Sequence, residues 1–91
     1  PEEYRRLDTL LHLAIAEAAG IPSLVALVAE NRADVNAWLD TFPLLPRNIQ
    51  HSGEQHERIV TAILAGRPDV AEAAMRDHLA GSEALLRGFL I

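Results

Sequence analysis

Four side chains that could bind a metal ion occur on three predicted helices of this chain. Asp8 and His12 are four residues apart, and His56 and His78 follow much later in the sequence. Residues four apart lie on one face of a helix, so Asp8 and His12 could share one ion. Imidazole nitrogens and a carboxylate suit zinc, nickel, manganese or iron, and these residue types alone do not choose among them. The candidate chemistry is divalent metal binding, with zinc as the default metal.

Two helices are predicted in the first half of the chain. The first covers residues 3–19 and stops at Gly20, because glycine commonly ends helices. Pro22 and Ser23 can start the second helix, which runs to residue 39. Its expected apolar contacts are Leu24, Leu27, Val28, Val35 and Trp38.

Two more helices are predicted in the second half, after residues 40–48, where Pro43 and Pro46 break the helical pattern. The third helix opens near Ser52 and closes at residue 66. The fourth begins at residue 68 and runs toward the C-terminus, with Gly81 as a candidate interruption. Since no alternating strand pattern occurs, the predicted fold is all-α, an antiparallel bundle of about four long helices.

The candidate ligands coincide with the predicted buried faces of these helices. In the first helix, Asp8 projects inside an apolar arc and His12 stands at its edge; the arc consists of Leu7, Leu11, Ala14, Ile15 and Ala18. His56 falls within the stripe of Ile59, Val60, Ile63 and Leu64. His78 falls within the stripe of Val70, Ala71, Ala74 and Met75. An inward carboxylate needs a partner, because a buried unpaired charge is costly.

Each of these residues also has a purely structural explanation. A single histidine on an apolar face is usually a core residue bonded to a backbone carbonyl, and Asp8 could accept a bond from one inward His or Arg. Separate structural roles explain less well why three different helices each direct a possible metal ligand toward the interior. His51 is left out of the set as an exposed loop histidine.

Composition restricts the function classes. The 91 residues carry eight basic side chains, all Arg, against 13 acidic ones, for a net charge of −5. This charge argues against binding of a phosphate backbone by this part of the protein. The absence of cysteine excludes disulfides, thiolate catalysis and Cys-type zinc fingers. No apolar run is long enough to cross a bilayer, so a soluble cytoplasmic domain is expected.

The chain resembles the FCD domain, the C-terminal effector domain of FadR-subfamily GntR transcription regulators. The matching segments are residues 7–24, LDTLLHLAIAEAAGIPSL, and residues 54–79, EQHERIVTAILAGRPDVAEAAMRDHL, with the helix that links them. They are similar to the family's D-x3-H helix, its H-x2-I-x2-A-I-x2-G helix and its A-x3-M-x2-H-L helix. The resemblance covers nearly the whole chain, and it implies that residues 1–91 form one effector- and metal-binding helical domain.

The resemblance implies a set of roles for these residues. In metal-binding members of the family, the matching positions bind a divalent ion, which assigns the metal ligands as Asp8, His12, His56 and His78. The ion would anchor a small organic-acid effector. Apart from the resemblance, Arg32 and Asn36 are candidate effector contacts because they are polar residues on the second helix, although such residues are more often part of a solvated surface. A homodimer is implied, and effector binding would alter the spacing of its DNA-binding domains.

Two departures from the family pattern qualify these expectations. Ile21 stands where the family usually has Asn, so a local helix cap would differ. The winged-helix DNA-binding domain and the helices that precede the D-x3-H helix have no counterpart in the sequence. We therefore expect a fragment that contacts DNA only through a missing N-terminal domain and that exposes apolar surface for a partner chain.

Two other classes of function remain open at this point. A metal hydrolase would use Glu57, next to His56, as general base, but adjacent helical residues diverge by about 100°, so Glu57 should point away from the ion. A purely structural dimerisation module would satisfy its histidines by hydrogen bonds alone. The favoured interpretation is a sensor domain that is not an enzyme.

Overall fold

A computed structural model describes residues 2–42 and 44–90, and the side chains up to residue 88. The helices are α1 (Glu2–Ala18), α2 (Pro22–Leu39), α3 (Pro46–Leu64) and α4 (Pro68–Leu90). Within those residues there are no strands. The predicted all-α class and the number of helices are confirmed.

The helices form two compact units. The first unit covers residues 1–43 and pairs α1 with α2, and the second covers residues 44–91 and pairs α3 with α4. In each unit the helix pair is closed by a short connection that contains a glycine with positive φ. Gly20 follows α1 with φ 73° and Gly66 follows α3 with φ 68°. Glycine adopts this left-handed backbone without a steric penalty, which explains why both helices stop where the sequence predicted.

Proline starts three of the four helices. Pro22, Pro46 and Pro68 each occupy the first turn, where the missing backbone N–H costs no helical hydrogen bond. The prediction that residues 40–48 break the helical pattern was therefore wrong at Pro46, which begins α3 six residues before Ser52. Pro43 lies outside the described residues.

Two further details of the helices differ from expectation. His51 lies within α3 instead of a loop, although it is exposed as predicted. Gly81 does not interrupt α4, which continues to residue 90. A Cβ at Gly81 would lie 3.4 Å from Nε2 of Gln55 on α3, so this glycine lies where α3 and α4 approach closely.

The buried face of α1 is rotated from the predicted arc. Its buried residues are His12 and Ala16, whereas Leu7 is 52% exposed. Ala14 and Ala18 are also exposed, and Leu11 and Ile15 are only half-buried. The polar residues Asp8 and Thr9 of this helix contact α2, as described below.

The other helices also bury narrower faces than their apolar patterns predict. Ile59 is the most buried side chain of α3 at 1% exposure and Ala62 accompanies it, but Ile63 and Leu64 are exposed. In α4 Val70 is exposed and Ala71, Ala74 and Met75 are half-buried. In α2 Val28 and Val35 are half-buried, whereas Leu24, Leu27 and Trp38 are exposed. Two paired helices cover only one stripe of each other, so much apolar surface stays accessible.

None of the described helices is long and apolar enough to cross a membrane.

Two glycines give a test of this backbone. Gly53 lies inside α3 with open space at the position that a Cβ would occupy, whereas Gly66 has positive φ. We expect Gly53→Ala to raise the free energy of unfolding by about 1 kcal/mol, because alanine favours helix over glycine. We expect Gly66→Ala to lower it by about 1 kcal/mol, because alanine is strained in the left-handed region. Urea denaturation followed by circular dichroism measures both, and equal effects of the two substitutions would contradict the assigned backbone.

Candidate functional site

The first unit buries a polar cluster between α1 and α2. Nη2 of Arg32 on α2 donates to Oδ2 of Asp8 on α1 at 2.6 Å. Oδ1 of Asp8 lies 3.4 Å from Nε2 of His12, one turn later on α1. The three side chains are each about nine-tenths buried. Oδ1 of Asp8 and Nε2 of His12 therefore lie next to each other, and the guanidinium of Arg32 binds the other carboxylate oxygen of Asp8.

Arg32 does not lie on a solvated face of α2. It is 8% exposed and its guanidinium is an ion-pair partner of Asp8. The sequence contained a signal for this position, because Arg32 is four residues after Val28 and three before Val35, which are both half-buried on α2. Next to it on the same helix, Nδ2 of Asn36 donates to Oγ1 of Thr9 on α1 at 2.7 Å. The two candidate effector contacts thus lie where α2 meets α1.

The second unit brings two histidines together between α3 and α4. Nε2 of His56 lies 3.2 Å from Nε2 of His78. The rings meet edge to face, with centroids 4.6 Å apart and planes at 75°. His78 is 4% exposed and His56 is half-buried. The side chains predicted from two separate helices therefore meet within this unit.

Gln55 is a site residue that the sequence patterns did not indicate. Its Oε1 lies 2.7 Å from Nδ1 of His78, and a carbonyl oxygen can only accept, so Nδ1 of His78 carries the proton. In the neutral form of the ring, Nε2 of His78 is then the nitrogen without a proton and the one that could bind a metal. A neighbouring group often orients a ligand histidine in this way. Ser52 contributes Oγ at 3.4 Å from Nε2 of His56. No pattern in the sequence singled out Gln55, since it belongs to neither the apolar stripe nor the ligand residue types.

The distances in both units agree with those between ligands of one metal ion. Two nitrogen or oxygen ligands of a tetrahedral zinc ion, each roughly 2.1 Å from it, lie roughly 3.4 Å from each other. The separation is 3.4 Å for the Asp8–His12 atoms and 3.2 Å for the His56–His78 atoms. The ring nitrogens of His12, His56 and His78 could act as metal ligands. The donor types and spacings of each unit fit a divalent metal.

His51 and Glu57, the other two residues considered from the sequence, are exposed on α3. His51 is exposed on α3 and its Nε2 lies 3.4 Å from Nε2 of Gln55. Glu57 is also exposed and contributes to a surface groove of about 460 Å³ in the second unit. None of the residues that line this groove is a histidine; they are Glu54, Glu57, Arg58, Thr61, Ala62, Ala65, Arg67 and Val70. The structure therefore does not place Glu57 where the hydrolase hypothesis needs a general base.

One of three comparisons with known proteins identifies a family. A family model described as the FCD domain matches residues 1–81 of the 91. The match includes both helix pairs except the end of α4, and it confirms the resemblance drawn from the sequence. Comparison with curated proteins and with solved structures found no significant match.

The ion pair in the first unit gives a test of the site's architecture. Replacing Arg32 alone, as Arg32→Leu, leaves a buried carboxylate without its cation, and we expect the free energy of unfolding to fall by about 3 kcal/mol. The double variant Asp8→Leu/Arg32→Leu removes both charges and should recover a large part of that loss. Urea denaturation of the variants measures this coupling.

Arg76→Leu is the matched control for the Arg32 variants. Arg76 bonds Glu72 at 2.7 Å on the surface of α4, where both side chains are largely exposed. Exposed ion pairs contribute little to stability, so this variant should unfold close to wild type. A double variant no more stable than Arg32→Leu alone would contradict the pairing.

Proposed function

The chain belongs to the FCD domain family, and from this membership we propose that it is the effector-binding part of a GntR-type transcription regulator. In this proposal the domain binds a divalent metal and a small organic acid and acts through a dimer. DNA is contacted by a separate winged-helix domain of the parent protein. The net charge of −5 supports this division, because an acidic surface repels a phosphate backbone.

The proposed metal ligands are Asp8, His12, His56 and His78. The observation that carries the proposal is that each unit holds one pair of ligand atoms at the separation expected for a shared ion, 3.4 Å in the first and 3.2 Å in the second. When bound, a divalent ion supplies positive charge that attracts the carboxylate of the acid. Zinc is the proposed metal, since nitrogen ligands with one carboxylate suit it.

In this proposal Gln55 and Arg32 orient two of the metal ligands. Gln55 accepts a hydrogen bond from Nδ1–H of His78 and so favours the neutral tautomer in which Nε2 carries no proton. Arg32 holds the carboxylate of Asp8 through one oxygen, which leaves the other oxygen directed toward His12. These contacts fix two ligand side chains before an ion arrives, which lowers the entropic cost of binding it.

Arg32 and Asn36 are the proposed contacts to the acid. A guanidinium and a carboxamide are common carboxylate- and hydroxyl-binding groups, and both lie on the face of α2 next to Asp8 and Thr9. Binding of the acid would stabilise one arrangement of the helices over another and thereby change how the dimer presents its DNA-binding domains.

A structural dimerisation module is the second candidate, and one observation favours it. The ligand-type side chains have protein partners, namely Arg32 on Asp8, and Gln55 and His56 on His78. A module of this kind would need no ion. It predicts the same thermal midpoint with and without a chelator, whereas a domain that binds metal only when folded is stabilised by it.

Metal content tests the proposal directly. We expect the untagged domain, loaded with zinc and then desalted, to retain about one zinc ion per chain, because four ligands hold an ion far more tightly than one or two. His56→Ala/His78→Ala should retain no stoichiometric zinc, while His51→Ala, which removes an exposed histidine, should match wild type. Elemental analysis measures the metal, and circular dichroism verifies that each variant is folded.

Two results would contradict a metal-binding function. The first is wild-type protein that retains no metal after loading with any of zinc, nickel, manganese or iron. The second is a thermal midpoint that is unchanged when a chelator is added to loaded protein. Either result would favour the structural module instead.

Metal binding should also depend on pH. Protons and metal ions compete for the same ring nitrogens, so we expect zinc affinity to fall steeply as the pH is lowered below about 6. Zinc titrations with a competing chelator between about pH 5 and pH 8 would measure this, in the range where histidine changes charge. An affinity that does not change over that range would exclude histidine as the main ligand type.

A further inference from the structure

Gly81 lies within α4 at a place where the backbone does not require a glycine. Among the described glycines only Gly20 and Gly66 have positive φ, and α4 continues past residue 81 to residue 90. Glycine in a helix is less favourable than alanine, because it loses more conformational freedom on folding. Gly81 is also exposed, so packing of the core does not require it. The reason for a glycine at this position therefore lies in its surroundings.

The carboxamide of Gln55 on α3 lies next to the missing side chain of Gly81. A Cβ at residue 81 would be 3.4 Å from Nε2 of Gln55, which is an ordinary van der Waals contact. A methyl group therefore fits at this position. Carbons beyond Cβ would compete with the carboxamide for the same space, because two groups in contact leave no room for a third.

The same carboxamide orients His78. Nδ1 of His78 donates to Oε1 of Gln55 at 2.7 Å. His78 and Gly81 are three residues apart on α4, so they lie next to each other on the helix surface. The oxygen of the Gln55 carboxamide thus lies at His78, and its nitrogen lies where a side chain of residue 81 would begin.

The position of the proton on His78 depends on this contact. Nε2 of His78 faces Nε2 of His56 at 3.2 Å. A neutral imidazole carries one proton, so the bond from Nδ1–H to Gln55 leaves Nε2 with its lone pair. If Gln55 were displaced, part of the molecules would carry the proton on Nε2 instead. That proton would block the nitrogen proposed to bind the metal.

We propose that Gly81 is a positioning residue of the metal site and acts through Gln55. The missing side chain leaves the space from which the carboxamide of Gln55 fixes the tautomer of His78. Glycine and alanine at residue 81 are compatible with this role, whereas larger residues are not. The inference rests on the proposed function, because His78 is one of the proposed zinc ligands, and it adds a residue that is not itself a ligand.

The tautomer of His78 in the metal-free domain gives the first test. Nitrogen NMR of the imidazole rings distinguishes a proton on Nδ1 from one on Nε2, and about pH 8 lies above the range in which histidine usually changes charge. We expect His78 of the wild type and of Gly81→Ala to carry the proton on Nδ1. Gly81→Ile and Gly81→Val should move it to Nε2 in a large share of the molecules, because a side chain branched at Cβ has few rotamers with which to avoid Gln55.

Zinc affinity, measured with a competing chelator, gives the second test. Loss of a group that orients a ligand histidine commonly weakens metal binding by about tenfold or more, and we expect that loss in Gly81→Ile. Gln55→Leu removes the oxygen itself and should give the same tautomer and a similar loss. The double variant Gln55→Leu/Gly81→Ile should lose no more than either single variant, since both substitutions remove the same contact.

Two control variants separate this contact from other effects. Gly88→Ile places the same side chain on the same helix, where a Cβ meets open space. His51→Ala removes the other group near Nε2 of Gln55, a ring nitrogen at 3.4 Å, which is long for a hydrogen bond. Both variants should keep the wild-type tautomer of His78 and the wild-type zinc affinity. Circular dichroism verifies that every variant is folded.

The outcomes separate this inference from the function on which it rests. An unchanged His78 tautomer in the Gly81→Ile and Gly81→Val variants would overturn the inference, as would an equal shift in Gly88→Ile. A shifted tautomer with wild-type zinc affinity would also overturn it, and the proposed function would stand. If the wild-type domain binds no zinc, the proposed function fails, and this role of Gly81 fails with it.

Discussion

The buried ion pair between Arg32 and Asp8 is the interaction on which the first unit depends. At 2.6 Å, with both side chains about nine-tenths buried, it joins α2 to α1 on their shared face. A buried pair of this kind stabilises a fold less than apolar packing of the same volume would, since both charges lose water. It does, however, specify one register between the two helices, because any shift would leave a charge buried without its partner. The exposed leucines of α1 and α2 show that apolar area alone does not determine this register.

The sequence predicts the helices well because their ends are set by local chemistry. Gly20 and Gly66 adopt positive φ, and Pro22 and Pro68 start helices, each for reasons confined to a few residues. Pro46 shows the limit of such rules, because proline both breaks a helix and begins one. Only the conformation of the residues that follow decides between the two effects. The early start of α3 therefore could not be derived from the proline itself.

The candidate site was only partly predictable, for a different reason. Asp8 and His12 were recognisable because their types and spacing stood out against an apolar arc, yet the arc itself was misplaced. A helical wheel assumes that the apolar side is the buried side, whereas α1 buries His12 and leaves Leu7 exposed. Polar contacts across the two helices, such as Arg32 with Asp8, depend on which helices pair, and one helix's pattern does not contain that information. Gln55 was missed for the same reason, since its role exists only when α3 meets α4.

Charge balance connects the ion pair to the proposed sensing. Asp8 carries one negative charge, and Arg32 already uses one of its oxygens. If Asp8 also binds a divalent ion, one carboxylate faces a total of three positive charges in a buried environment where water screens them poorly. The neutral histidines supply bonds to the ion but no charge, so a second anion is needed to reduce the repulsion. In the proposed function a carboxylic acid would provide that anion. The carboxylate of Asp8 would then couple the affinity for metal to the affinity for acid, and each ligand would raise the affinity for the other by the same factor.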